Sequence, residues 1–380
     1  MELIFGIIVG VLILVFLVTV HELGHAIFAR RNGVVVEEFG IGFPPRAWAK
    51  KLRNGVLFTL NWLPLGGFVK LQGEHDAADQ KGDYGAATFW QKTRILLAGV
   101  LVNWFVAVLL LTILAWTGLP KLLPNQFSVA GDTTIVMKPV ELTLVSEGSP
   151  AEKAGLKTGD QIVRFAGNPV NSSADLSSAT KARRGQTVEV IYSRRGVEHS
   201  TNATLRADEK EGFLGVSSAQ RQLIQASWSA PVVGVVTTGQ FTYVTLQGLG
   251  NLVVDFVKGL IFQFSFDSHV RQDGGKSLAK AGASVAGPIG ILGVIFPSAE
   301  RAGLTQLTFL TAIISLTLAV MNTLPIPALD GGRWFTMALF RLLRRPLTKE
   351  IEERIQTVGF MILMGLIVVV TIADVGKLFK

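Results

Sequence analysis

Residues 3–20 form a run without a single charge, and "VTVHELGHAIFARR" (18–31) continues directly from it. An apolar stretch of this length crosses roughly 30 Å of hydrocarbon as a helix, where every backbone N–H and C=O must be satisfied within the segment. One element of the fold is therefore decided before the rest of the chain is read. The same span closes on His21, Glu22 and His25. Ionisable groups inside a bilayer cost on the order of 3 kcal/mol each, so they persist where they are paired or used. "MELIF" has no basic leader region and no small-residue cleavage site follows the run, so the segment is expected to remain as an anchor, closed on the inner face by Arg30 and Arg31.

The remainder of the chain supports this setting. Of its 380 residues 49% are hydrophobic and only 17% charged, too apolar for an ordinary soluble protein of this length. Besides 4–29, the stretches 95–119, 307–324 and 358–375 are long and apolar enough to cross. The expected fold is a polytopic α-helical membrane protein with four transmembrane helices. The net charge of +8 is not gathered into a nucleic-acid-binding stripe. Arg30, Arg31, Arg46, Lys50, Lys51 and Arg53 follow the first span, and Arg341, Arg344 and Arg345 lie between the last two. The positive-inside rule makes both loops cytoplasmic and puts 120–306 outside. With no cysteine, disulfides and thiolate ligands are excluded.

Between the spans, residues 56–73 ("VLFTLNWLPLGGFVKLQG") mix β-formers with a Pro-Leu-Gly-Gly turn and are expected to form a membrane-associated strand pair. Residues 130–217 alternate polar β-like runs with turns. There "EGSPAEKAGLKTGDQIVRFAGNPV" resembles the signature of bacterial PDZ domains, whose peptide-binding loop would be Gly212, Phe213, Leu214, Gly215 and Val216. Residues 222–264 are apolar on average but interrupted by Gln240, Gln247, Asn251, Asp255 and Lys258, and are expected to form an amphipathic interfacial segment.

His21-Glu22-Leu23-Gly24-His25 is an H-E-x-x-H string. On a helix, positions i and i+4 share a face, so both imidazoles reach one zinc ion, with Glu22 beside the open position as general base. A hydrolytic zinc site needs a third protein ligand. His75, His199 and His269 have no metal-like spacing. Asp330 in "MNTLPIPALDGGRWF" is the better candidate. Pro325 and Pro327 stop the preceding helix, and Gly331 and Gly332 permit a tight turn that aims the carboxylate inward. Taken alone, Asp330 reads better as a solvated residue of an interfacial turn.

H-E-x-x-H in a first span, N-x-x-P-x-P-x-L-D-G after a third and a PDZ-like insert between them together resemble the site-2 proteases, closest to the bacterial type with one PDZ domain. "FGIGFPPR", "GGFVKLQGE" and "AGPIGI" also look like family segments. The resemblance implies one Zn²⁺ per chain held by His21, His25 and Asp330, with Glu22 as base. Asn322 would engage the substrate backbone, with Asn103, Gly67, Phe68 and Val69 as further substrate contacts. Val100 stands where the family often has proline, and Arg333 where a histidine is common. The implied function is intramembrane proteolysis of single-span proteins, such as anti-sigma factors or remnant signal peptides, after a site-1-type protease has made a first cut. The implied home is a bacterial plasma membrane, with the active site toward the cytoplasm and the PDZ domain outside. The expected divisions are 1–120 and 281–380 for the membrane domain, 130–217 for the PDZ domain and 222–264 for the interfacial segment. Two other classes compete: a catalytically silent PDZ scaffold, which needs no intact metal set, and a metal transporter, which would show internal repeats.

The paired ligands also constrain topology. His21, His25 and Asp330 meet only if the spans that deliver them run in the same direction, which four crossings provide. A lone crossing by 222–264 would leave Asp330 about 30 Å away.

Overall fold

A computed structural model describes residues 2–194, 196–208 and 213–378. The chain divides into two units, one formed by Met1–Leu114 with Pro231–Lys380 and the other by Ala115–Ala230.

The first unit begins with α1 (Glu2–Arg31), a single helix free of proline that carries Arg30 and Arg31 in its last turn. Two long, bent strands follow, β1 (Val36–Lys51) and β2 (Leu57–Leu71), paired with each other along several stretches. Residues 57–60 run parallel to 38–41 and residues 67–71 antiparallel to 36–41, so 56–73 does hold two oppositely directed strand halves, but they flank β1 instead of pairing with each other. The hairpin turn is Asn54-Gly55, where Gly55 adopts φ +87° and the Asn54 side chain accepts the Val56 N–H at 3.2 Å. Asn-Gly is a strong short-range hairpin signal. The chain reverses a second time through Pro64-Leu65-Gly66, between Leu60, which pairs with Ile41 on one side, and Gly67, which pairs with Ile41 on the other. The helix α2 (Phe89–Thr117) then packs against α1. Gly24 faces the α2 backbone so closely that a methyl group there would lie 2.9 Å from the Ala98 carbonyl oxygen. Membrane helices approach in this way through small residues, because lipid supplies no hydrophobic drive for their association.

The second unit is built on a mostly antiparallel sheet. Its elements are β3 (Leu119–Pro120), β4 (Thr134–Val145), α3 (Pro150–Lys153), β5 (Gln161–Phe165), β6 (Asn168–Pro169), α4 (Ser173–Ala182), β7 (Thr187–Arg194), β8 (Val197–Thr204) and β9 (Val216–Gln225). The order across the sheet is β3-β9-β4-β5-β7-β8, with β6 on β5. Alternating strand residues fill one core, among them Val140, Leu142, Ile162, Phe165, Val190 and Tyr192, joined by Leu156 and Leu176 beside the two short helices. Ser149 and Ser172 cap α3 and α4 by accepting the N–H of Glu152 and Asp175. Asp132 accepts from the backbone and hydroxyl groups of Ser227 and Ser229, and these bonds hold its pKa down at about 2.

The first unit resumes with α5 (Ala230–Gln263), whose Phe241 and Thr242 meet Phe309 and the Trp104 indole N–H. Next come α6 (Ser268–Ala283), α7 (Pro288–Gly290), a π turn over Ile291–Ile295 and α8 (Phe296–Arg301). The chain ends with α9 (Leu304–Thr323), α10 (Asp330–Leu342) and α11 (Lys349–Leu378). Among the described residues five helices are long and apolar enough to cross a membrane: Leu3–Arg31, Phe89–Thr117, Ala230–Gln263, Leu304–Thr323 and Lys349–Gly376. The pair Ser268–Ala283 and Pro288–Arg301, bent by 43°, passes the same test as one broken span. Residues 222–264 are thus not one element. They comprise the end of β9 and a continuous helix of 34 residues.

Replacing Gly24 with valine is expected to cost about 1–3 kcal/mol through overpacking against α2. Gly248→Ala, at a position with nothing within 4 Å of an added methyl group, is expected to be neutral. Thermal unfolding of the two variants in detergent checks this contrast.

Candidate metal centre and cavity

His21 and His25 lie one turn apart on the same face of α1, with ring centroids 4.8 Å apart and both side chains buried. Their surroundings on α2 are small. At Gly99 a methyl group would sit 2.5 Å from His25 Nε2, so this position leaves room for the two rings. Asp330 arrives from the opposite end of the chain. After α9 the segment Leu324–Leu329 turns back, with Ala328 at φ +78°, and α10 starts at Asp330 itself. Gly331 and Gly332 lie directly against the backbone of Thr323, Leu324 and Ile326, where no side chain fits.

These two approaches bring three ligand atoms together. Asp330 Oδ2 is 3.1 Å from His21 Nε2 and 3.2 Å from His25 Nε2, and the two Nε2 atoms are 3.2 Å apart. Nitrogen and oxygen ligands about 2.0–2.1 Å from a tetrahedral zinc ion are roughly 3.3 Å from one another. The near-equilateral triangle is one face of such a tetrahedron, and the donor set of two imidazoles and one carboxylate suits zinc. The His25 Nδ1 donates to the Ile95 carbonyl at 2.8 Å, which orients that ring from behind.

Glu22 points into a cavity of about 860 Å³ that is also lined by His25, Asp330, Phe68 and Val69. Its Oε2 accepts the Val69 N–H at 3.1 Å, so β2 runs beside the carboxylate. Gly67 is close as well, since a methyl group there would be 3.7 Å from Glu22 Cγ. Of the expected substrate contacts, Phe68 and Val69 therefore reach the cavity. Asn322, half-buried on the last turn of α9, and Asn103, only 1% exposed on α2, are absent from its wall.

The far side of the cavity carries a network that sequence reading missed. Arg333, one turn beyond Asp330, binds Glu74 at 2.9 Å, the Glu74 carbonyl at 2.7 Å and Glu352 at 3.1 Å, and lies over the Tyr84 ring. Glu352 also accepts the Asp76 N–H at 2.7 Å, and Asp76 pairs with Lys92 of α2. Burial opposes the charge on Arg333, but the carboxylates of Glu74 and Glu352 beside it hold its pKa above the ordinary guanidinium value. Burial pushes the Tyr84 hydroxyl up, so it stays protonated. Arg333 and Glu74 are 259 residues apart, and no local pattern marks them as partners.

In the second unit Phe213, Leu214, Gly215 and Val216 line a groove of about 190 Å³ with Leu176, Ser177, Thr180 and Lys181. Gly212 lies outside the described residues.

The model of peptidase family M50 matches residues 9–366. A Clostridium perfringens protein classed by name among zinc metalloproteases is 30% identical, over 94% of this chain and 95% of its own. The zinc metalloprotease RasP of Shouchella clausii is 27% identical over 96% of this chain and 97% of its own. The regulator of sigma-W protease RasP of Bacillus subtilis is 25% identical over 96% of each. The structure of the PDZ domain of an SdrC-like protein from Listeria monocytogenes matches 24% of this chain and 93% of that domain, with 24% identity and a TM-score of 0.20. With the family match running through both the H-E-x-x-H helix and the Asp330 turn, the chain belongs to peptidase family M50, the site-2 protease family.

Proposed function

We propose that this chain is a zinc-dependent intramembrane endopeptidase that cuts the transmembrane segments of single-span membrane proteins once another protease has shortened their ectodomains. The observation that carries the reading is the triangle of His21, His25 and Asp330 beside the Glu22 carboxylate, on a helix that is otherwise apolar. An inactive scaffold has no need of this set, and a transporter has no need of a base aimed into the same cavity. Anti-sigma factors fit as substrates, in keeping with the sigma-W name of the Bacillus subtilis relative, and remnant signal peptides are a second class.

Bound zinc supplies a Lewis acid that polarises a carbonyl and acidifies water near neutral pH. The chain's own residues do the rest. Glu22 takes the proton of the attacking water as the C–O bond forms and delivers it to the nitrogen of the breaking C–N bond. The Val69 N–H fixes the direction of that carboxylate. A helical substrate hides its peptide bonds, so it unwinds locally, and its freed N–H and C=O groups then need partners in a dry site. The β2 backbone at Gly67, Phe68 and Val69 receives the unwound segment as an added strand, and Asn322 holds a neighbouring backbone group.

The active site faces the cytoplasm in this reading, and the sheet unit is an extracytoplasmic PDZ domain that inspects the substrate's outer segment. Because His21, His25 and Asp330 share one site, the number of crossings between α2 and α9 must be even. Either α5 and the bent pair both stay at the outer surface, giving four spans, or both cross, giving six. We favour four, since Gln247, Asn251, Asp255 and Lys258 interrupt the apolar face of α5. The continuous length of α5 and the bent pair favour six.

Glu22→Gln is expected to keep its zinc and lose roughly 100- to 10,000-fold in kcat, whereas His25→Ala and Asp330→Ala lose the metal as well. Metal analysis beside cleavage of a single-span substrate checks this, and near wild-type turnover by Glu22→Gln would exclude the mechanism. For topology, a cysteine at Ser265 in this cysteine-free chain is expected to react with an impermeant thiol reagent from outside, and one at Arg344 from the cytoplasm. Cytoplasmic labelling at Ser265 would establish the six-crossing arrangement instead. Replacing residues 134–225 by a short linker is expected to leave cleavage of a minimal transmembrane peptide intact and to admit full-length precursors prematurely. If the folded, zinc-loaded deletion cuts neither, the domain is required for productive binding.

A further inference from the structure

Asn103 is buried to 1% exposure on α2, yet its side chain has no place in the cavity wall where a substrate contact belongs. It lies instead behind His21, with the amide nitrogen 3.5 Å from His21 Nδ1. Its backbone carbonyl accepts the Ser315 hydroxyl of α9 at 2.8 Å, so the residue is held from two helices.

The chemistry of the ligand triangle decides which amide atom belongs at that contact. Both histidines present Nε2 to Asp330 Oδ2. A neutral imidazole that binds a metal through Nε2 carries its proton on Nδ1, and that N–H needs an acceptor. For His25 the acceptor is the Ile95 carbonyl at 2.8 Å. For His21 the group at hand is the Asn103 amide. With its nitrogen toward the ring two donors face each other, and the buried Asn103 Oδ1 is left without a hydrogen-bond partner. Turning the amide over removes both faults, because oxygen and nitrogen occupy nearly equivalent positions and only the hydrogen-bond network tells them apart.

We propose that Asn103 is a positioning residue for the metal ligand His21, accepting the Nδ1 proton through Oδ1 and so fixing both the tautomer and the ring direction. The assignment rests on the reading of His21, His25 and Asp330 as zinc ligands. It replaces the substrate contact that the family resemblance implied for Asn103. The two histidines then have matched supports, a main-chain carbonyl for His25 and a side-chain carbonyl for His21. Asn103 is also the position at which α9, through Ser315, bears on the metal site.

The experiment is zinc competition with a chelator on the full-length chain in detergent, with thermal unfolding of the metal-free forms as control. Asn103→Leu, which has no acceptor, is expected to weaken zinc binding 10- to 100-fold. Asn103→Asp, which keeps an acceptor oxygen, is expected to bind zinc at least as tightly as the wild type. At saturating zinc the leucine variant should cleave a transmembrane peptide with an unchanged KM. If the leucine variant does not fold, Asn103→Ala against Asn103→Asp makes the same comparison. Wild-type zinc affinity in the leucine or alanine variant, or equal loss in the aspartate variant, overturns the proposal. A raised KM with unaltered zinc affinity returns Asn103 to substrate binding. Full zinc content in His21→Ala and Asp330→Ala would instead overturn the zinc site itself, a result separable from any outcome at Asn103.

Discussion

Three polar groups on the apolar helices of this chain are tolerable only in one another's company, and much of the first unit follows from that. His21 and His25 end an apolar helix, and desolvation penalises each of them unless a partner arrives. The partner is Asp330, 309 residues away from His21. Bringing its carboxylate to 3.1 Å of His21 and 3.2 Å of His25 requires α1, α2 and the turn after α9 to converge with little bulk between them. Gly24, Gly99, Gly331 and Gly332 occupy the places where a side chain would separate them. Any topology that does not return Asp330 to the level of His21 fails for the same reason.

The cavity beside this triangle is held by a second kind of interaction. Arg333 joins Glu74, in the turn that follows β2, to α11 at Glu352, and Glu352 reaches back to Asp76 and, through it, to Lys92 of α2. Buried charges of this kind are costly singly and stable only as a closed network. Here the network spans the elements that frame the mouth of the cavity. It fixes β2 relative to α10, the helix that begins with Asp330, so the strand edge at Val69 and the triangle of His21, His25 and Asp330 keep their spacing. The Val69 N–H bond to Glu22 depends on that spacing.

Chemistry carried by short, regular spacing was legible in the sequence. The i, i+4 pair of histidines with Glu22 between them needs only a helix, and the apolar run guaranteed one. Asp330 was legible less directly, through the prolines that end α9 and the glycines that let the chain fold back. The hairpin was half legible. Residues 56–73 read as two strands joined at Pro-Leu-Gly-Gly, and the chain does reverse there, but the Asn54-Gly55 turn and the upstream strand 36–51, with which both halves pair, went unread. Residues 222–264 read as interfacial because their average apolarity is interrupted, although they include a continuous helix of 34 residues.

The sequence by itself determined the apolar helices α1, α2, α9 and α11 and the placing of His21, Glu22 and His25 on one stretch of α1, because each is set by contacts within a few residues along the chain. Only the tertiary structure decided the triangle's dimensions, the approach of Val69 to Glu22, the Arg333 network and the place of Asn103 behind His21 rather than in the cavity. The pairs Val69–Glu22, Asn103–His21, Arg333–Glu74 and Asp330–His21 join residues 47, 82, 259 and 309 positions apart. Nothing in the local pattern of either partner records the other. They exist because burial leaves each donor and acceptor with no water to turn to, so packing selects the arrangement in which they meet.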